Sequence, residues 1–135
     1  MSREIKFRVW DKLAERFTKC DKGYQGHHIL SLKGEFHNLQ NGSGGQEYIV
    51  QQWTGLTDTN GADIYEGDIL ERIGDGSFCK IVISWDDHNC AFMSKNSFNL
   101  HGSGSPISDH NINISDWTYW VVIGNIYENS ELLKS

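Results

Sequence analysis

The chain has 135 residues, 38% hydrophobic and 12% aromatic, with a formal net charge of −6 at pH 7. That length suits a single domain with its own core, and that apolar content excludes intrinsic disorder. No run approaches the ~20 apolar residues of a membrane helix, and MSREIKFRVW lacks the apolar segment of a leader, so neither a span nor secretion is expected.

From the N-terminus, Ile5-Lys-Phe-Arg-Val-Trp10 alternates apolar and basic residues, the period of a half-buried strand. Ile5, Phe7 and Val9 are expected on its buried face. Lys6, Arg8 and Trp10 fall on the other, as candidate binding or interface residues. Residues 1–33 carry eight Lys or Arg against four Asp or Glu, and residues 34–135 carry four against fourteen. The basic side chains are dispersed rather than gathered in a stripe. The segment is therefore expected to lie on acidic protein surface, of its own or a neighbouring copy. A free arm that binds nucleic acid is the alternative.

HHILSL (27–32) and GEFHNL (34–39) read as a short hairpin around Lys33-Gly34. NGSGG (41–45) is a break, and Tyr48–Trp53 returns to strand composition. Residues 53–68, WTGLTDTNGADIYEGD, are rich in carboxylates and invite a calcium reading. An EF-hand loop needs oxygen ligands at positions 1, 3 and 5, Gly at 6 and Glu at 12. Counted from Asp58, Asn60 falls at 3, but Ala62 falls at 5, Gly61 at 4 and Ile69 at 12. The register fails. Asn60-Gly61 instead suits a tight turn, and Gly67-Asp68 a strained corner whose carboxylate accepts nearby backbone N–H groups.

Asp68–Ile73 and Phe78–Trp85 are alternating runs around Gly74-Asp75-Gly76-Ser77, a strong hairpin signal. Ala91–Lys95 continues the meander after a reversal at 86–89. HGSGSPIS (101–108) is a loop with the only proline. Trp117–Ile123 reads as a buried strand, with Trp117 and Tyr119 on one face and Trp120 on the other. One face is expected in the core and the other at a subunit contact, making Trp117 and Trp120 candidate binding or interface residues. Asn129-Ser-Glu-Leu-Leu resembles a capped helical turn. Long helical periodicity is absent, so the fold is expected to be mainly β.

Candidate chemistry is sparse. Asp86-Asp87-His88-Asn89-Cys90 gathers metal-ligand types, but adjacent residues on one turn rarely converge on one ion, so a polar hairpin tip is expected and no metal. Three cysteines without disulfide spacing fit a reducing cytoplasm. Cys79 and Cys90, on neighbouring strands, are expected to be buried and inert rather than nucleophilic. Neither Gly-rich loop has the sequence of a phosphate- or dinucleotide-binding loop. No acid–base pair stands out, so no enzyme and no cofactor are expected.

Three blocks, REIKFRVWD, WTGLTDTNGADIYEGDIL and VIGNIYEN followed by ELL, resemble in order and spacing the YopX-like family of phage and prophage proteins. Departures are small: Trp53 stands where Tyr is frequent in the family, and Ser130 where Pro is. The motif positions are Gly55, Asn60, Gly61, Gly67, Asp68, Gly124 and Asn125, expected to be structural. The resemblance implies a single domain over 1–135, with a strand and loop-rich segment (1–47) before a barrel-like body (48–135). It also implies an SH3-like small barrel, a phage or prophage gene and a bacterial cytoplasm, but no catalytic residues. The expected function is that of an accessory protein acting through protein contacts as a homo-oligomer, with a nucleic-acid-binding module as the alternative.

Overall fold

The structure, a computed structural model, describes residues 4–17, 28–30, 36–38, 48–74, 79–97, 100, 104–107 and 119–134. The described chain is mostly β-strand, as the periodicity predicts. It forms two compact units, Lys6–Gln52 and Met1–Ile5 with Trp53–Ser135. The Lys33-Gly34 turn, the 41–45 break, residues 75–78 of the β7–β8 reversal, residues 101–103 and 108, His27, Cys20 and Trp117 lie outside the described residues.

In the unit Lys6–Gln52, β1 (Phe7–Asp11) pairs antiparallel with β2 (Arg16–Phe17) and with the first half of β5 (Tyr48–Thr57). The predicted hairpin forms from β3 (His28–Leu30) and β4 (Phe36–Asn38). The facing of β1 departs from expectation. Val9 is buried as expected, but Ile5 is 57% exposed and Phe7 44% exposed, and Trp10, expected outside, is buried. The register explains the burial of Trp10. Trp10 lies opposite Phe17 on one side and Ile49 on the other, so that face carries the larger apolar area. Trp10 and Phe17 meet edge to face at 5.1 Å.

In the other unit, β7 (Asp68–Ile73), β8 (Lys80–Asp86) and β9 (Ala91–Asn96) form the predicted meander. With β10 (Ser105–Pro106) and β11 (Tyr119–Asn125) they make an antiparallel sheet in the order β10-β9-β8-β7-β11. Pro106 sits on the edge strand, where a missing N–H costs no ladder bond. The second half of β5 pairs with β6 (Asp63–Tyr65). β10 and β11 end the five-stranded order and are not paired with each other among the described residues, so the SH3-like detail finds no support there.

One sheet face packs Leu70, Ile81 and Ile83 with Ile64, and Leu56, Ile107, Trp120 and Val122 close round them. Ile69, Val82, Met93 and Val121, on the opposite face, are buried as well. This is why Ile81-Val82-Ile83 reads as an unbroken apolar run: both of its faces are covered. Each such aliphatic side chain contributes about 1.5–3 kcal/mol when fully buried. Among the described residues no helix is long and apolar enough to cross a membrane.

Candidate functional site

The turn after β5 is organised by one carboxylate. Asp58 is only 5% exposed. Its Oδ1 accepts the backbone N–H groups of Asn60 and Ala62, each at 2.9 Å. Its own N–H donates to the Ala62 carbonyl, and the Gly61 N–H donates to the Asp58 carbonyl. Its Oδ2 accepts the Val122 N–H of β11 at 2.9 Å. Asn60 and Gly61 are exposed at the tip, with Gly61 at φ +83°. Gly55, also at positive φ, lies in β5 where the pairing with β6 slips register.

The second cluster surrounds Gly67 and Asp68. Gly67 is buried with φ +85°. Its N–H donates to Ile83, and its carbonyl accepts from Ile126, so the β6–β7 corner is tied to β8 and to the segment after β11. Asp68, 1% exposed, accepts the Tyr65 N–H at 2.8 Å and a long 3.5 Å contact from the Asn125 side-chain amide. Asn125 is buried too, and its Oδ1 accepts the Tyr127 N–H. Asn125 N–H donates to Asn129 Oδ1 at 3.1 Å, and Asn129 N–H donates back to the Asn125 carbonyl at 2.8 Å.

The predicted C-terminal turn forms as a 3-10 helix over Ser130–Lys134. Asn129 contributes its carbonyl to Leu132 there, while its side chain turns back towards Asn125. A Cβ on Gly124 would stand 2.6 Å from Asn129 Oδ1, so that glycine makes room for the reciprocal bond. Burial, with the negative charge of Glu66 second, raises the Tyr127 hydroxyl above its ordinary pKa.

The seven motif glycines, asparagines and carboxylates thus stand at turns, corners, strand ends or, for Gly55, a register slip within a strand. Asp58, Asp68, Asn125 and Asn129 spend polar atoms on backbone N–H groups that would otherwise be orphaned. Such an arrangement fixes chain direction. Among the described residues no three His, Cys, Asp or Glu side chains are grouped so as to hold a metal ion.

The other candidates are scattered. Arg8 Nε donates to Gln51 Oε1 at 2.9 Å, and its guanidinium lies 4.7 Å from the centre of the Phe17 ring. Lys6 is half-buried, and Trp120 is half-buried against the core cluster. The 86–90 segment is a hairpin tip. Asp86 accepts the N–H groups of His88 and Asn89 and the Asn89 side-chain amide. Hydrogen bonds from Asn89, side chain first, hold the Asp86 carboxyl below its ordinary pKa, with His88 adding to the effect.

The cysteines correct an expectation. Cys79 is half-buried and Cys90 is exposed, with φ +50°. They flank opposite ends of the β8–β9 ladder, so they do not approach one another. Polar turn chemistry draws Cys90 outward: its thiol contacts the Asp87 carbonyl at 3.5 Å.

Sequence reasoning missed Asp58 and Asn129 as organisers, and Trp85, which is 46% exposed beside the tip. An Asp two residues before Asn-Gly is a turn signal that pointed to Asp58. Nothing local pointed to its bond with Val122.

A protein-family model described as YopX protein matches residues 6–134. Among solved structures, protein EF1440 from Enterococcus faecalis is similar at 28% identity and a TM-score of 0.64, covering 98% of this chain and 99% of its own. Protein yopX from Bacillus subtilis is similar in fold at 18% identity and a TM-score of 0.55, covering 93% of this chain and 95% of its own. No curated protein matches the chain.

Proposed function

We propose, because the chain belongs to the YopX protein family, that it is a non-catalytic accessory protein of a phage or prophage. In this reading it works in the bacterial cytoplasm through protein contacts, as a homo-oligomer, with no cofactor and no metal.

The observation that carries the reading is the use made of the motif residues. Asp58, Asp68 and Asn125 are buried and aimed at backbone N–H groups, not at a cleft where a substrate would sit. A catalytic carboxylate needs reach to a reacting atom, and these are spent on the fold. Function then falls to the surface. The uneven charge, basic in residues 1–33 and acidic beyond, favours contact between copies in a defined orientation. Against a free nucleic-acid arm stands Arg8, held by Gln51 and the Phe17 ring.

Sedimentation of the full chain across a wide concentration range, with a gel shift on single- and double-stranded nucleic acid at low and moderate salt, tests the proposal. The expected result is concentration-dependent self-association without a gel shift. A monomer that shifts nucleic acid in a salt-dependent way would establish the alternative, a nucleic-acid-binding module.

A further inference from the structure

Asn60 and Gly61 form the exposed tip of the turn that Asp58 organises. A side chain placed on Gly61 would meet nothing within 4 Å, so the peptide bond between the two stands open on that side.

An asparagine followed by glycine carries its own reagents. The glycine amide nitrogen can attack the asparagine side-chain carbonyl carbon, because no Cβ crowds its approach. The N–Cγ bond forms and the Cγ–Nδ2 bond breaks. The proton shed by the attacking nitrogen leaves with Nδ2 as ammonia. Water then opens the five-membered imide at either carbonyl, giving an aspartyl or an isoaspartyl link. Water is the only co-reactant.

In this fold the attacking atom is engaged. Gly61 N–H donates to the Asp58 carbonyl at 3.0 Å, so the proton that must leave is held in a hydrogen bond. Closing the imide also turns the planar peptide unit between Asn60 and Gly61. Bonds on either side resist that rotation: Asn60 N–H and Ala62 N–H both donate to Asp58 Oδ1 at 2.9 Å. Asp58 is in turn anchored to β11 through Val122. The reaction therefore waits on local opening of the turn.

We propose that Asn60 is a site of spontaneous deamidation and that Asp58 is the residue that keeps it shut. The proposal is independent of the oligomeric reading above. The product undoes the turn, so the change runs one way. An isoaspartyl link lengthens the main chain between the two N–H groups that share Asp58 Oδ1. Either product also sets a new carboxylate beside that of Asp58, and like charges at close range repel.

The test incubates the full chain in mildly alkaline buffer, folded and in guanidinium chloride. Peptide mapping by mass spectrometry follows the conversion of amide to carboxylate at position 60. It separates that position from the same dipeptide at Asn41-Gly42. Conversion is expected to be about tenfold or more slower in the folded parent than in the unfolded chain, since several hydrogen bonds must open first. Asp58→Ala should recover most of that difference while still folded, as a thermal melt verifies; if it does not fold, Asp58→Asn takes its place. Gly67→Val, which strains a corner outside this turn, should stay near the parent rate and so separates local opening from general loss of stability. An unfolded chain that does not convert at position 60 overturns the site. A folded parent as fast as the unfolded chain overturns the protection. A folded Asp58 variant no faster than the parent, or a Gly67→Val rate raised equally, overturns the role of Asp58.

Discussion

The carboxylate of Asp58 accepts the backbone N–H of Val122 at 2.9 Å, across 64 positions of sequence. The bond joins a turn in the second motif block to the strand in the third. It also occupies a β11 amide that would otherwise face outward unpaired, because Val122 does not spend it on the β7 ladder.

Replacing Asp58 with Ala removes the acceptor for three backbone N–H groups at once. The expected loss of stability is ~1–3 kcal/mol, chiefly from the Val122 N–H left without its acceptor, since Asn60 and Ala62 are exposed and their N–H groups can turn to water. Asp58→Asn keeps one carbonyl oxygen and should fall between Ala and the parent. Urea unfolding orders the three proteins, and equal midpoints for Ala and Asn would contradict the assignment.

Gly67→Val places a branched side chain at φ +85° in a buried corner. Strain of that kind costs ~1–3 kcal/mol. A thermal melt indistinguishable from the parent would mean that the corner relaxes without cost.

Gly124→Ala brings a Cβ against Asn129, so the Asn129 side chain must leave its bond to Asn125. A destabilisation of ~1–3 kcal/mol is expected from the displaced side chain and the lost bond. The costs of Gly124→Ala and Asn129→Ala should then be less than additive in the double variant. Full additivity, measured by denaturant titration, would separate the two residues.

The lowered pKa of Asp86 gives a signed pH dependence. The folded state favours the ionised form, so its stabilisation is present above the ordinary value of 3.8 and is lost as pH falls through the depressed folded value. Asn89→Ala removes the largest cause and should return the carboxyl towards 3.8. Following the Asp86 carboxyl carbon by NMR titration decides it, and an unmoved midpoint would refute the role of Asn89.

Tyr127 acts at the other end of the scale. Its raised pKa means that the folded state holds the phenolic proton more tightly, so this stabilisation is present below the ordinary value of 10.0 and is lost as pH rises through the folded value. Glu66→Gln should bring the transition down, because burial then acts alone. Ultraviolet titration of tyrosinate in the parent and in Tyr127→Phe isolates the step, and a Tyr127 midpoint at or below 10.0 would remove the argument.

Much of this protein was legible along the chain. The strands β7, β8 and β9 and the reversal at 86–89 follow from alternation and from Asp and Asn at that turn, which are local preferences of a few residues. The Asn60-Gly61 turn and the strained Gly67 were readable for the same reason. Only the tertiary structure decided that β1 is covered on both faces at Val9 and Trp10 and exposed at Phe7, because alternation marks two faces without saying what covers either. Trp10 went inward when Phe17 and Ile49 came to lie beside it. The roles of Asp58 and Asn125 were likewise hidden. A carboxylate or amide shows its type in sequence, but its partner is whatever backbone amide the fold leaves unsatisfied within reach. For Asp58 that amide belongs to Val122, and only the assembled sheet brings the two together.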